Sequence, residues 1–333
     1  MKVSLVIPGR NAAGTIKNCL ESVVPILDRK GLGEIIFVDD GSTDDTAKIV
    51  QHYPIRYIRK ETQGPGAARN TGWHAANCEL IWFIDADCVA EPDAMANLIV
   101  HLEDPAVAGA GGSYSNGYPQ SLLACLVHEE IIERHLRMPS DVNHLGSFNV
   151  LYRRSVLKEM NGFDESLFNG PGSPGAEDME LSYRIFAAGY RLVFDRSSIV
   201  RHFHPTRLRN YLRAQRHHGF WRARLHFHHP NRATGDTYSS LVDNVQPPIA
   251  MIILAIVPLI FFWPVQMGLF LLFMFFILAA LQIPMTIRLV KRTGLLRYSV
   301  FGFVSFIRAF ARGLGMIAGL FSVPFIWKKK YFG

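Results

Sequence analysis

The chain has 333 residues, a net charge of +7, 49% hydrophobic residues and a mean hydropathy of +0.12. That is enough chain for one large domain and something more, and the hydropathy is high for a purely soluble enzyme. Its four cysteines, Cys19, Cys78, Cys88 and Cys125, form no CxxC pair, which argues against a disulfide framework or a structural zinc site and fits reduced thiols in a cytoplasmic domain.

Lys2 to Ile7 reads as a buried strand stopped by Pro8-Gly9, a run too short for the apolar core of a signal peptide. Gly14 to Leu27 carries apolar residues at helical spacing. Glu34 to Val38 is a second apolar strand, followed by Asp39-Asp40-Gly41-Ser42 and a helix over Thr43 to Tyr53. Arg56 to Arg59 is a short strand, Gly66 to Asn77 a helix and Leu80 to Ile84 a buried strand. Strands alternating with helices predict a mostly parallel sheet, with ligands at the carboxyl ends of the strands. Asn11, Asp39, Asp40, Asp85 and Asp87 all follow strand ends. Further on, a glycine-rich loop at Gly170 to Gly175 precedes a helix over Ala176 to Ala188, and Tyr190 to Phe194 is again a strand.

Asp85-Ala86-Asp87 follows the apolar strand directly, and side chains two apart in an extended segment point the same way. Such a pair suits a hard divalent cation that completes its shell with substrate phosphates, although solvated loop acids would look the same. Asp40 could accept hydrogen bonds from a nucleobase or ribose, or the acidic run could simply cap a helix. Glu177-Asp178 opens a helix whose dipole favours an ionised carboxylate; a general base and a plain capping acid are both open readings.

Val6-Ile7-Pro8-Gly9-Arg10-Asn11, Val38-Asp39-Asp40-Gly41-Ser42-Thr43-Asp44, Gly66-Ala67-Ala68-Arg69-Asn70-Thr71-Gly72 and Asp85-Ala86-Asp87, then Gly162-Phe163-Asp164-Glu165 and Glu177-Asp178-Met179-Glu180-Leu181-Ser182-Tyr183-Arg184, resemble the ordered motifs of family-2 glycosyltransferases. The resemblance covers roughly Met1 to Phe220, and Gly9-Arg10 departs from the family's usual Thr-Tyr or Ser-Tyr. It implies a GT-A fold, an α/β nucleotide-sugar-binding domain, and inverting transfer by direct displacement. It also implies a donor site of Pro8, Asp40, Arg69, Asp85 and Asn149, a divalent metal (Mn2+ or Mg2+) on Asp87, and Asp178 as general base. Many enzymes of this fold complete the metal shell with a late histidine. His202 and His204 are the candidates among seven clustered late histidines, and His204 is the residue taken. Gln215-Arg216-His217-His218-Gly219-Phe220-Trp221 partly resembles a motif of processive polysaccharide synthases; it suggests either Arg216 and Trp221 at an acceptor edge or an amphipathic helix on headgroups.

The remainder reads as membrane. Nine arginines and no acid lie between Arg196 and Gly235, and no charge lies between Ile249 and Ile287. A basic stretch just ahead of an apolar one favours lipid headgroups or a lipid-linked phosphate over nucleic acid. Ile249 to Gln266 and Met267 to Ile287 are each near the length of a span, with Pro264 between them, so a helical hairpin is expected. Arg288, Lys291 and Arg292 after it place both its ends in the cytoplasm. Ser299 to Trp327 is apolar but carries Arg308 and Arg312, with Lys328-Lys329-Lys330 beyond; an interfacial or re-entrant segment is expected, with a third and fourth short span as the alternative. The expected layout is a catalytic domain over 1–220, a basic linker over 221–248, a transmembrane hairpin over 249–287 and a basic loop with the interfacial segment over 288–333. The expected activity is transfer from a nucleotide sugar, a UDP-sugar being favoured, to a lipid-linked acceptor at the inner membrane. A processive synthase and an inactive nucleotide-binding scaffold are the alternatives. A dinucleotide oxidoreductase is disfavoured, because Gly64-Pro65-Gly66-Ala67-Ala68-Arg69 lacks a third glycine and does not join the first strand to its helix.

Overall fold

A computed structural model describes residues 1–29, 31–166, 175–230 and 235–331, with side chains as far as Ser322. The expected glycine-rich loop lies almost wholly outside the described residues, as do the side chains of Lys328 to Lys330. The chain divides into two compact units, Met1–Pro119 with His135–His204, and Gln120–Arg134 with Pro205–Gly333.

The first unit opens with β1 (Val3–Gly9), α1 (Ile16–Val23), β2 (Leu32–Asp39), α2 (Thr46–Val50), β3 (Arg56–Arg59), α3 (Pro65–Ala75) and β4 (Leu80–Ile84). It continues through β5 (Cys88–Ala90), α4 (Ala94–Ile99) and β6 (Val107–Asn116). After α5 (Leu122–His135) come β7 (Asp141–Val142), β8 (Asn149–Arg153), α6 (Arg154–Glu159), α7 (Glu177–Ala187) and β9 (Arg191–His202). Among the described residues nine strands form one sheet in the order β3-β2-β1-β4-β8-β6-β9-β5, with β7 beside β9. β1 is parallel to both β2 and β4, whereas β8 runs antiparallel between β4 and β6. The mixed second half was not legible as a parallel series.

Near-continuous apolar strands such as Leu80-Ile81-Trp82-Phe83-Ile84 are buried on both faces, as expected for strands covered by helices on each side. One cluster packs α1 and α4 with Leu5, Phe37 and Trp82; the other packs Trp73 of α3 and Leu181 of α7 with Val6, Ile36 and Phe83. α3 lies so close to β1 that a Cβ on Gly72 would sit 2.2 Å from Val6 Cγ1, which is why a glycine stands there.

The second unit gathers α5 with α8 (Leu208–His228), α9 (Leu241–Ile256), α10 (Pro264–Ala280), α11 (Ile283–Thr293) and α12 (Phe301–Tyr331). Among the described residues Leu241–Phe261, Pro264–Thr293 and Leu296–Ser322 are long and apolar enough to cross a membrane. Pro264 stands at the first turn of α10, where a missing N–H costs nothing, so the chain breaks there between two apolar helices. The acids of α5 answer the arginines of the later helices. Glu130 accepts from Arg308 and, at 2.7 Å, from Arg134, which forks onto Asp243 at 2.7 and 2.8 Å. Arg292 pairs with Glu129 and Glu133, so this cation of the expected cytoplasmic cluster is largely neutralised within the protein. Trp221, which one of the two readings set at an acceptor edge, is buried beneath Arg224, whose guanidinium lies 4.6 Å from the ring; Arg216 remains exposed.

Candidate active site

Three loops at the carboxyl edge of β1, β2 and β4 build the site. Asn11, at φ 52°, accepts from Thr43 N at 2.8 Å and donates its own N–H to Ser42 Oγ at 2.9 Å, which zips the first loop to the second. Pro8 is buried in β1 opposite Val38. Asp39 accepts from Ser42 N and Tyr57 OH at 2.7 and 2.6 Å. Asp40 is buried and its two oxygens accept from Gln63 N and Gly64 N, each at 2.9 Å. Asp40 thus clamps the loop that starts α3, using both oxygens on the backbone.

α3 then delivers two adjacent side chains to different tasks. Asn70 fastens the Gly162-Phe163-Asp164-Glu165 turn, accepting from Phe163 N and donating to Phe163 O, both at 2.9 Å. Arg69 is buried and donates Nη2 to Asp85 Oδ1 at 2.7 Å and Nη1 to Glu177 Oε1 at 2.8 Å. One guanidinium therefore serves two carboxylates from distant segments. Burial pushes the Glu177 carboxyl up to about 7, against the pull of Arg69 and with help from the charge of Asp178.

Asp85-Ala86-Asp87 is a tight turn closed by Cys88 N donating to Asp85 O at 2.9 Å, not the extended segment that alternation predicts. The turn gives the two carboxylates different neighbours. Asp85 goes to Arg69, and burial with the adjacent Asp87 charge raises it despite that cation. Asp87 Oδ2 lies 3.4 Å from Nε2 of His202, the last residue of β9, which pairs across the sheet with Cys88. Desolvation raises Asp87, but His202 outweighs it and holds the carboxyl below its ordinary range.

Donor atoms of Asp87, Cys88 and His202 fall within 4.8 Å of one another. The Cys88 thiol is buried, and burial pushes it well above its usual value, which makes it the hardest of the three to ionise and leaves Asp87 and His202 as the readier donors. A carboxylate and an imidazole remain, a donor pair that fits a divalent cation such as Mn2+ with room for substrate oxygens. His204, the residue taken from sequence, is instead buried with its Nδ1 3.2 Å from His202 Nδ1. The end of β9 sets this order: the strand carries His202 to the cross-strand position beside Cys88, and His204 lies beyond it.

Glu177 and Asp178 open α7 but face differently. Asp178 is partly exposed; its Oδ1 accepts from Met179 N at 2.8 Å, in the first turn of the helix, and its Oδ2 accepts a long 3.3 Å bond from Ser147 N. Asn149, expected in the donor site, is fully buried: its Oδ1 accepts from Trp82 Nε1 at 3.0 Å and its Nδ2 donates to Ser198 Oγ at 2.9 Å. Its register opposite Ile84 turns the amide into the sheet core, where it satisfies other buried groups. The expected lining segment contributes Ser147 N and Phe148, whose ring stacks on Tyr114 with centroids 3.6 Å apart. Tyr114, 5.1 Å from the His202 ring, escaped the sequence reading because it lies in an otherwise small-residue strand.

An α/β sheet with a reversed strand beside the aspartate turn defines a domain of the GT-A type. Residues 4–160 match the family described as Glycosyl transferase family 2, and this domain belongs to that family. The chain is 29% identical over 243 residues to the pre-mycofactocin glycosyltransferase of Mycobacterium tuberculosis, covering 69% of this chain and 48% of that protein. It is 28% identical over 212 residues to glycosyltransferase AglE of Haloferax volcanii, covering 62% of this chain and 67% of that one. The chain thus spans about half the length of the first relative. Its fold is similar to that of the mannosyltransferase PcManGT from Pyrobaculum calidifontis in complex with GDP-Man and Mn2+, with a TM-score of 0.60, 18% identity and coverage of 95% of this chain and 87% of that one.

Proposed function

We propose that the chain is an inverting glycosyltransferase that moves one sugar from a nucleoside-diphosphate sugar to a hydroxyl of a membrane-associated, lipid-linked acceptor in glycan or polysaccharide assembly. The observation that carries the reading is the unequal treatment of the site carboxylates. Asp85 and Glu177 are tied to Arg69 and Asp87 faces His202, while Asp178 is partly open and, among the described residues, meets no cation and accepts only from two backbone N–H groups, Met179 N at 2.8 Å and Ser147 N at 3.3 Å. Family membership and the relatives' names support transfer chemistry.

In this reading the donor lies along the strand ends, with its diphosphate beside Asp87 and His202. A divalent cation bound there would offset the charge that develops on the departing diphosphate. Asp178 orients the acceptor hydroxyl and takes its proton as the oxygen bonds to the anomeric carbon. The bond from that carbon to the diphosphate oxygen breaks, and the nucleoside diphosphate leaves with the electron pair. Arg69 keeps Glu177 from competing with Asp178 as base. The sequence favours a UDP-sugar, whereas the similar mannosyltransferase holds GDP-Man, so the base of the nucleotide is the first thing to measure.

The α9–α10 hairpin anchors the enzyme in the inner membrane with the catalytic domain in the cytoplasm, where nucleotide sugars are made. The apolar lengths of these helices support this. The deciding experiment is thermal stabilisation of purified full-length protein by UDP-, GDP- and dTDP-sugars with Mn2+ or Mg2+, followed by analysis of the lipid product. Stabilisation by one donor class and a product longer by one sugar is expected. No stabilisation and no donor turnover would defeat the reading.

A further inference from the structure

α12 has two unlike faces. Phe303, Ile307, Phe310, Leu314, Ile317 and Phe321 form one apolar stripe at helical spacing, with Phe303 66% and Phe321 77% exposed. The opposite face turns Arg308 onto Glu130 and Tyr211, and Arg312 Nε onto Gln215 Oε1 at 2.7 Å. On that face α12 touches α8 backbone to backbone: a Cβ on Gly315 would lie 1.9 Å from Arg216 O, and one on Gly319 2.3 Å from Phe220 O. Wherever α12 lies, α8 accompanies it.

α8 is not a helix for hydrocarbon. Arg209, Arg213 and Arg216, exposed at i, i+4 and i+7, form one cationic row. Carrying such residues to a bilayer midplane is costly for each arginine. The meeting of α12 with the apolar hairpin is equally informative. Gly313 abuts Pro247 O and Met251, Ser305 Oγ donates to Gln282 Oε1 at 2.6 Å, and Ala309 packs with Ala250, Ile253 and Leu278. Pro247 to Ile253 lie in the middle of α9, where its apolar run begins, and Leu278 to Gln282 close α10, so these contacts fall on the half of the hairpin nearer its charged flanks. Phe306 reaches one turn further, to Phe275. At the other end Phe261, Phe262 and Val265 stand highly exposed.

From this we propose that α12 does not cross the bilayer. It lies flat in the interface at the base of the α9–α10 hairpin, with its apolar stripe among the acyl chains, and the cationic row of α8 binds anionic lipid headgroups. The proposal rests on the hairpin being the membrane anchor. It makes α8 and α12 one seating surface whose partner is an anionic lipid surface.

The test places spin labels singly at Phe303, Leu314 and Phe321 in full-length protein, with Cys78→Ser to remove the half-buried native thiol and Leu272 as a deep reference. The protein is reconstituted in nanodiscs, and depth is read from oxygen and nickel-chelate collision rates. A flat helix gives three depths that agree within about 5 Å, all shallower than Leu272; a crossing helix changes depth by about 27 Å between 303 and 321 and overturns the proposal. The same depths are expected in the Asp178→Asn protein, so a failed enzyme reading and a failed seating reading give different results. Tryptic cleavage after Arg209, Arg213 and Arg216 is expected to slow about tenfold in discs containing phosphatidylglycerol relative to phosphatidylcholine alone. Equal rates in the two would overturn the anionic partner.

Discussion

Arg69 holds Glu177 at 2.8 Å from a helix whose next residue, Asp178, it does not hold. Adjacent carboxylates that read alike in sequence are thereby separated into one that is fixed and one that is available. Exchanging Asp178 for Asn keeps size and capping capacity but removes the proton acceptor. Asp178→Asn is expected to lose transfer about a hundredfold or more while donor affinity stays within a few-fold. Single-turnover kinetics with calorimetric donor binding separate the two. Retained turnover would move the base assignment elsewhere.

Glu177 titrates differently in the folded and unfolded chain, at about 7 against an ordinary 4.5. The folded protein therefore holds this proton over a range where the unfolded chain has released it. The stabilisation is fully present below about pH 4.5 and is lost as pH rises through about 7. Glu177→Gln keeps a hydrogen-bond acceptor for Arg69 and removes the titration. Melting temperatures measured from pH 5 to pH 8 should fall less in the Gln protein than in the wild type; identical slopes would count against the buried titration.

Metal binding should follow the observed neighbours of Asp87. Asp87→Ala and His202→Ala are each expected to weaken Mn2+ at least about tenfold in an EPR titration. His204→Ala should have the smaller effect, since that ring meets His202 and not Asp87. If His204→Ala proved the more damaging, His204 would be a direct ligand as the sequence reading had it.

Gly72→Ala should destabilise the first unit by about 1–3 kcal/mol, because the added methyl meets Val6 Cγ1 at 2.2 Å in a packed layer. Chemical denaturation of the detergent-solubilised protein measures this. A neutral result would mean that α3 can slide away from β1.

Much of the first unit was legible because apolar strands, their polar ends and the spacing of the helices are local signals. Asp85, Asp87 and Asp178 stood out for that reason. What escaped depends on partners far along the chain. Asn149 reads as a pocket amide until Trp82 and Ser198 are seen to need it. The choice between His202 and His204 depends on which one cross-strand pairing sets beside Cys88. The Asp85 turn looked extended because alternation assumes a continuing strand. Arg308 looked like a charge stranded in an apolar helix, since Glu130 lies 178 residues earlier.

That separation orders events during synthesis. α5 leaves the ribosome with Glu130 already beside Arg134, but Arg308 and Asp243 do not yet exist. β6 and β8, on either side of α5, can pair as soon as β8 is made, and they do so around an insert that still lacks Arg292 and Arg308 for its acids and Asp243 for Arg134. Until the apolar helices emerge, Glu129 and Glu133 wait for Arg292, and Glu130 for Arg308. Assembly of these ion pairs is therefore a matter of timing as much as of affinity, with the last hundred residues closing a gap opened after six of the nine described strands were made.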